Sequence, residues 1–141
     1  MSSDFASEML AEHYDAVSAL WQATEGLGDT ETREEFCRYL SRNPGISSVV
    51  SHDGRIIGAL LGGHDGRRGY LYHLAVAADH RDAGVATALI GRCLDQLQRL
   101  QIQRCSLHVY RANATAVEFW SHQQWRERCD LKLFAVDLPR R

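Results

Sequence analysis

The sequence predicts an α/β (α+β) fold in which helices cover a mixed, mostly antiparallel sheet. Short apolar runs separated by tight turns over residues 46–77 predict three consecutive antiparallel strands. A strand, a long amphipathic helix and a further strand then follow over residues 68–110, and a crossover of this kind joins parallel strands. Because the chain has 141 residues, we expect one domain over residues 1–141.

The N-terminal third is predicted to hold one short strand and two helices. Residues 4–9 form a candidate strand, and apolar residues at helical spacing predict a helix over residues 11–24. Glycines in residues 26–29 end this helix. Thr30 is then expected to cap a second helix, which ends at Asn43-Pro44-Gly45.

The middle of the chain reads as a three-stranded meander. The dipeptide Asp53-Gly54 is a strong hairpin signal, because its residues tolerate the positive φ angles of a tight turn. A second turn falls at residues 64–66. The predicted strands cover residues 46–50, 56–62 and 68–77.

The C-terminal part is predicted to alternate helices and strands. Residues 82–100 form an amphipathic helix with one apolar face, and residues 104–110 form the next strand. Asn113 is expected to cap a short helix that ends near His122. Residues 131–138 predict a closing strand.

The loop between the third strand and the long helix has the chemistry of an anion site. The first N–H groups of a helix lack intrahelical partners and carry partial positive charge, which suits a phosphate group. Gly84 allows a ligand to approach the backbone closely, Arg81 adds a cation and Thr87 adds a hydroxyl group. These residues predict a diphosphate site.

The spacing of this loop distinguishes it from the common nucleotide motifs. Neither G-x-G-x-x-G nor G-x-x-x-x-G-K-[ST] is present. Arg81-x-x-Gly84-x-Ala86, preceded by Leu74-Ala75-Val76, instead resembles the pyrophosphate loop of the GNAT superfamily of acyl-CoA N-acyltransferases. The stretch over residues 63–89 is similar to an uncharacterised bacterial branch, related to proteins like the ribosomal-protein alanine acetyltransferases. Downstream, Asn113, Phe119, Trp120 and Trp125 resemble the family's Asn-aromatic segment.

The resemblance implies a sheet of six to seven strands, about four helices and central strands that splay apart to admit acetyl-CoA (coenzyme A). One backbone N–H freed at the splay would face the thioester carbonyl and stabilise an oxyanion. The cofactor-binding residues implied are Leu74, Ala75, Val76, Arg81, Asp82, Ala83, Gly84, Val85, Ala86, Thr87, Asn113 and Trp120.

Acyl transfer to an amine requires a group that removes a proton, and His108 is the first candidate because imidazole titrates near neutrality. In the branch that resembles the ribosomal-protein alanine acetyltransferases, a Glu stands at the position of His108 and serves as the base. Tyr72 and Tyr110 complete the catalytic candidates, as a channel residue and as an alternative proton source. Strand alternation places Tyr70 on the same face as Tyr72 and predicts that His73 points to the opposite face, in a structural role. The alternative interpretation of His108 is a strand histidine that is hydrogen-bonded inside the fold. For Tyr70 and Tyr72 the alternative is aromatic packing.

Two features leave the mechanism open at this point. Trp120 stands where many GNAT enzymes have a Tyr that protonates the leaving thiolate, and an indole N–H is not a useful acid. The acidic link that contains Glu25, Asp29 and Glu31 would lie beside the acceptor channel in such a fold. It either attracts a cationic amine or is simply a solvated loop.

Composition excludes several classes of function. A net charge of −2 argues against a nucleic-acid surface, and no apolar run approaches the length of a membrane helix. The start of the chain lacks a secretory signal pattern, so a cytoplasmic location is expected. The four cysteines are spaced neither as a zinc site nor as a redox pair, so we expect no metal and four free thiols.

The resulting hypothesis is an acetyl-CoA-dependent N-acetyltransferase whose acceptor is a small-molecule or peptide primary amine. The alternatives are a CoA-binding regulatory or interaction protein with little turnover, an enzyme that modifies aminoacyl-tRNA, and an enzyme that uses propionyl- or succinyl-CoA. Dimers are common in the superfamily, so a homodimer is among the expected partners, while the sequence leaves the oligomeric state open.

Overall fold

A computed structural model describes residues 5–140. These residues form two compact units, of which the first ends at His108 and the second begins at Val109. Each unit is considered by itself. The first contains a mixed sheet and three α-helices, and the second contains one α-helix. The described chain therefore has an α+β architecture, as predicted. Asp4, the first residue of the predicted N-terminal strand, lies outside the described residues.

The sheet has five strands in the order β1-β2-β3-β4-β5. The first four pair antiparallel, and β4 pairs with β5 in parallel through the crossover helix. Both the meander and the parallel crossover were predicted, but the described residues contain five strands rather than six to seven. The strands are β1, Ser7–Glu8; β2, Ser48–His52; β3, Arg55–His64; β4, Gly69–Val76; and β5, Cys105–Leu107.

The helices match their predicted positions with shifted ends. The helix predicted over residues 11–24 begins as a 3-10 turn, and the one predicted from residue 82 begins three residues later. This delay has a physical cause, because Asp82 and Gly84 have φ angles of 65° and 83°, which no α-helix accommodates. The helices are α1, Tyr14–Gln22; α2, Arg33–Arg42; α3, Val85–Arg99; and α4, Ala114–His122.

The cap of α2 was predicted wrongly. Thr32, and not Thr30, is the N-cap, and its side chain accepts a hydrogen bond from the backbone N–H of Glu35 at 3.2 Å. The Glu35 carboxylate accepts one from the N–H of Thr32 at 2.9 Å. This reciprocal capping box needs a Glu three residues after the Thr, a spacing that Thr32 has and Thr30 lacks.

The two faces of the sheet carry different layers. One face packs against α1 and α2 around Trp21 and Phe36, which are fully buried with ring centroids 6.1 Å apart. The other face packs against α3 so closely that a Cβ atom on Gly58 would lie 2.5 Å from Val85 Cγ1. A side chain at Gly58 would therefore push α3, and the loop that precedes it, away from the sheet.

The second unit contains α4, which begins as predicted. Asn113 is the N-cap, and its side-chain oxygen accepts a hydrogen bond from Ala116 N at 3.1 Å. The strand predicted over residues 131–138 is wrong, because no described residue after Leu107 pairs in a sheet. Apolar residues fall at both odd and even positions of this stretch, so no single apolar face forms, and the five largest are between 60% and 88% exposed.

None of the described helices is both long and apolar enough to cross a bilayer.

Candidate active site

The gap between β4 and β5 lies at the edge of the sheet. Backbone pairing joins Gly69, Tyr70 and Leu71 to β5 and ends there, although β4 continues to Val76. The backbone of residues 72–76 is therefore not paired with β5. This confirms the predicted splay, and it places the groups of Leu74, Ala75 and Val76 beside an open edge.

The loop that leaves β4 carries two successive reversals of the backbone. Asp82 and Gly84 both have left-handed conformations, and Gly84 is the N-cap of α3. Glycine adopts this conformation without steric cost, whereas Asp82 adopts it at some cost. The Arg81 side chain crosses back over the loop, where its Nε donates to Val76 O at 3.3 Å. This contact ties the loop to the end of β4.

The start of α3 is suited to an anion. No side chain caps the helix, and its first turn contains no acidic residue. The first intrahelical bond at this end is Ala88 N to Gly84 O at 3.1 Å, which leaves the N–H groups of Val85, Ala86 and Thr87 without intrahelical acceptors. Backbone donors, a helix dipole and Arg81 together provide what a diphosphate requires.

A β-bulge interrupts β4 directly after Tyr72. Leu61 pairs with Tyr72 and Ala59 with Ala75, so β4 contains one more residue than β3 between these pairs. His73 takes a φ angle of 60°, which is unusual for a residue other than glycine. The Trp21 indole Nε1 donates to the carbonyl oxygen of His73 at 3.0 Å and so holds the bulge.

The bulge turns His73 onto the same face as Tyr72. The His73 ring lies 5.1 Å from the Trp21 ring and 6.4 Å from the Tyr72 ring, between centroids. The prediction that His73 points away from Tyr72 is therefore wrong, because it assumed a regular strand. Strict alternation fails at a bulge.

A carboxylate from the link between α1 and α2 meets this histidine. His73 Nε2 lies 3.3 Å from Glu31 Oε1, in hydrogen-bonding geometry, and 3.0 Å from Oε2. Only 13% of the His73 side chain and 27% of the Glu31 side chain are exposed. Among the described residues, Glu31 Oε2 is the one buried side-chain oxygen or nitrogen atom without a hydrogen bond. The pair is therefore a largely buried acid–base unit at the sheet surface.

Tyrosine rings extend this surface along β4. Tyr70 and Tyr72 stack with centroids 6.5 Å apart, which confirms that they share a face. Tyr72 also meets Tyr39 of α2 edge to face at 6.2 Å. Burial, then the neighbouring Tyr70, raises the pKa of Tyr72 above its usual value. Tyr72 is thus a neutral phenol at physiological pH, able to donate or accept a hydrogen bond but not to act as a base.

His108 directly follows β5. The parallel register pairs Leu71 with Leu107, so Tyr72 and His108 are the next residues along their strands, at the point where pairing ends. The His108 side chain belongs to an exposed residue. The structure thus places both at the mouth of the gap.

The remaining predicted site residues belong to the second unit. Tyr110 is 63% exposed. Asn113 uses its side-chain oxygen to cap α4. Trp120 packs edge to face against Phe119 and Trp125, with centroids 5.1 and 5.0 Å away.

A cysteine nucleophile has little support. Burial raises the pKa of Cys105 to about 12 and that of Cys93 to about 11. Both thiols are therefore protonated at neutral pH and unreactive. Within the described part of the chain, no group of three or more His, Cys, Asp or Glu side chains could hold a metal ion.

We expect iodoacetamide at neutral pH to alkylate the exposed Cys129 of the native protein while Cys93 and Cys105 stay largely unmodified. The hydrogen bond to Glu127 raises the pKa of the Cys129 thiol as well, so the expected order rests on burial, which keeps the reagent from Cys93 and Cys105. Peptide mass mapping after timed quenching measures this order. Early modification of Cys105 would contradict it, and unfolding in urea should make all sites react.

Comparison with known proteins gives this site a family context. A model of the acetyltransferase (GNAT) family matches residues 13–124. The chain belongs to this family. The match begins before α1 and ends just after α4, so it includes the β4 strand, the loop and α3.

Individual GNAT proteins resemble the chain to different extents. An acetyltransferase of Pectobacterium atrosepticum is 37% identical over 82 residues, which is 57% of this chain and 58% of that protein. An aminoglycoside acetyltransferase from an uncultured soil metagenomic sample, solved in complex with sisomicin, has a TM-score of 0.76 at 15% identity, with 96% of this chain and 98% of that one covered. Rv2747 from Mycobacterium tuberculosis, in complex with CoA and NLQ, has a TM-score of 0.68 at 15% identity, covering 84% and 69%. These structural likenesses establish the GNAT fold.

Sequence reasoning missed the pair formed by Glu31 and His73. Glu31 was recognised only as part of an acidic link, and His73 was assigned a structural role. The local signal for the bulge is weak, because histidine is enriched among the non-glycine residues at positive φ but such residues are only a few per cent of the total. The indole of Trp21, 52 positions away in sequence, is the contact that fixes it.

Proposed function

We propose that this GNAT protein transfers the acetyl group of acetyl-CoA to a primary amine, in a small molecule or at a peptide N-terminus. One observation carries the proposal: the unpaired edge of β4 leads directly into an uncapped helix start at Gly84. This arrangement offers backbone groups to a pantetheine chain and an anion site to a diphosphate. We also propose that residues 1–141 act as one catalytic domain, a view supported by the family match, which spans both units.

Different residues would bind the diphosphate and the pantetheine arm of the coenzyme. The N–H groups at the start of α3, together with Arg81 and Thr87, would bind the diphosphate. The free edge of Leu74, Ala75 and Val76 would bind the amide groups of the pantetheine arm. Bound acetyl-CoA supplies the thioester whose carbonyl carbon the amine attacks.

The acceptor side would use the face that carries the tyrosines. Tyr72 remains a neutral phenol beside the gap, so it would position the amine by a hydrogen bond. His108, at the same level on the neighbouring strand, would take the proton that the nitrogen loses as it is acylated. The leaving thiolate would take its proton from water. Acceptors of this kind have a parallel in the aminoglycoside acetyltransferase that was solved with sisomicin.

The direct test measures release of free thiol from acetyl-CoA over a panel of primary amines and peptides with free N-termini. Thiol release that requires both acetyl-CoA and an amine, with an acetylated product identified by mass spectrometry, supports the proposal. Tight CoA binding without turnover on any acceptor would contradict it and favour a CoA-binding regulatory protein.

Replacing His108 by Ala should lower kcat by about 10²-fold or more, the usual contribution of a general base, and leave CoA affinity unchanged. The imidazole stands at the mouth of the gap, where it would meet the reacting nitrogen and not the diphosphate. Turnover and isothermal titration with CoA measure the two effects separately. Unchanged kcat would make His108 an ordinary surface residue. His64→Ala, at the last residue of β3, is the control for loss of a histidine elsewhere on the sheet.

A further inference from the structure

A primary alkylamine must lose a proton before it can react with a thioester. With a pKa like that of the lysine side chain, about 10.4, only about one molecule in 2,500 is neutral at pH 7. A second proton leaves the nitrogen as the new N–C bond forms. The reaction therefore needs two proton removals from the same nitrogen, and His108 accounts for the second.

The pair formed by Glu31 and His73 is built to accept a proton. The carboxylate of Glu31 faces His73 Nε2, and no described Lys or Arg forms an ion pair with it. Its Oε2 is buried, makes no hydrogen bond and lies 3.0 Å from His73 Nε2. The Glu31 carboxylate therefore lies within ion-pair distance of the imidazole, at the ring nitrogen that it can hold by a hydrogen bond.

The two ring nitrogens of His73 have different surroundings. His73 Nε2 is occupied by Glu31, and no described residue hydrogen-bonds to Nδ1. Holding Nε2 against a carboxylate fixes the ring orientation and the tautomer, which leaves Nδ1 as the proton acceptor. The bulge puts this ring on the face of Tyr72, one residue beyond the point where β4 and β5 separate.

We propose that His73 takes the first proton, from the ammonium form of the acceptor, and that Glu31 is its positioning residue. One N–H bond of the ammonium breaks, its electron pair stays on the nitrogen, and the proton binds His73 Nδ1. The imidazolium pairs with the Glu31 carboxylate and later returns the proton to water. This inference rests on the proposed function and adds the acceptor class, amines that are cationic at neutral pH.

The surroundings of the pair contain few other charges. Tyr72 from β4 and Tyr39 from α2 face the site as neutral phenols, since burial first, then neighbouring acidic groups, raises the pKa of each. From α1, Trp21 is not titratable, and the Tyr14 hydroxyl donates to the backbone oxygen of Glu31 at 3.0 Å. The proton balance of the site therefore depends on His73 and Glu31.

The test compares two acceptors of similar shape whose amines differ in pKa, an alkylamine and its analogue with three fluorine atoms on the β-carbon. His73→Asn should lower kcat/KM for the alkylamine by about 10²-fold at pH 7, and much less for the fluorinated amine, which is already largely neutral. Asn tolerates the left-handed backbone of this position, so the fold should persist. Activity on the alkylamine should recover about tenfold per pH unit between pH 7 and 9, as the free amine accumulates.

Two further variants separate the pair from its surroundings. Glu31→Gln keeps a hydrogen-bond acceptor but removes the charge, so it should show the same dependence on acceptor pKa with a smaller loss. Glu34→Gln, on the exposed side of α2, is its control, because Glu34 pairs only with Arg38. Free imidazole should restore activity to His73→Gly, since glycine suits the φ angle and leaves space for the ring.

The outcomes are distinct. Equal losses on both acceptors, no loss, or no pH recovery would overturn the assignment while leaving the acetyltransferase proposal intact. Absence of turnover by the unmodified protein on every amine would overturn the proposed function, and this assignment with it. CoA affinity, measured by calorimetry, should be unchanged in every variant, and its loss would show that His73 is structural.

Discussion

Replacing Gly84 by Glu should abolish coenzyme A binding while the protein remains folded. Gly84 is the N-cap of α3 at a φ angle of 83°, so any side chain there is strained by about 1–2 kcal/mol. Glu also places a negative charge and four heavy atoms beyond Cβ where the diphosphate would lie. Isothermal titration with CoA should show no binding at concentrations that saturate the unmodified protein.

The control for this variant is Gly66→Glu, in the turn between β3 and β4. Gly66 has a φ angle of 92°, and a Cβ atom there meets nothing within 4 Å. The substitution introduces the same charge and similar backbone strain away from the loop. If both variants bind CoA equally, the loop does not hold the diphosphate, and if only Gly84→Glu fails, strain alone is not the cause.

Replacing Trp21 by Ala should destabilise the protein by about 3–5 kcal/mol, the range found for truncating a buried aromatic side chain. Trp21 is 1% exposed and packs edge to face on Phe36. It also donates the hydrogen bond that holds the carbonyl of His73 in the bulge. Urea unfolding followed by circular dichroism measures the loss, with the slope of the transition compared between proteins.

Trp21→Phe separates packing from hydrogen bonding. The ring keeps most of the apolar contact, but the His73 carbonyl loses its donor, so a loss of about 1–3 kcal/mol is expected. If His73 acts as proposed, this variant should also lower turnover on alkylamines, because the bulge that presents the imidazole is loosened. A stability close to that of Trp21→Ala would mean that the hydrogen bond, and not the ring, carries most of the effect.

The order of strands and helices in the first unit could be predicted because it depends on local patterns. Asp53-Gly54 specified a hairpin, and apolar spacing specified the helices. In the second unit, Asn113 caps α4, as predicted. The turn at Gly84 and the helix start that follows it could be predicted for the same reason, because a glycine before a helix is a local signal. The family resemblance then supplied the splay between β4 and β5, which no residue pattern specifies.

The features that could not be predicted depend on contacts distant in sequence. The Glu31 carboxylate contacts His73, which lies 42 positions away in sequence. The Trp21 indole, which fixes the bulge, lies 52 positions from His73. Alternation therefore assigned His73 to the wrong face. The stretch over residues 131–138 failed for a related reason, because apolar composition favours a strand only where a neighbouring strand offers backbone groups.

The extra residue in β4 leaves the remainder of the strand in phase with its neighbour. Tyr72 and Ala75 both stay opposite their β3 partners, and Ala75 still enters the core between the sheet and α1. His73 is thus supernumerary to the hydrogen-bonded ladder, and its ring rests on Trp21 without taking a ladder position from a core residue. One inserted residue therefore adds a side chain to the face that carries the tyrosines, while the strand on either side of it keeps its register.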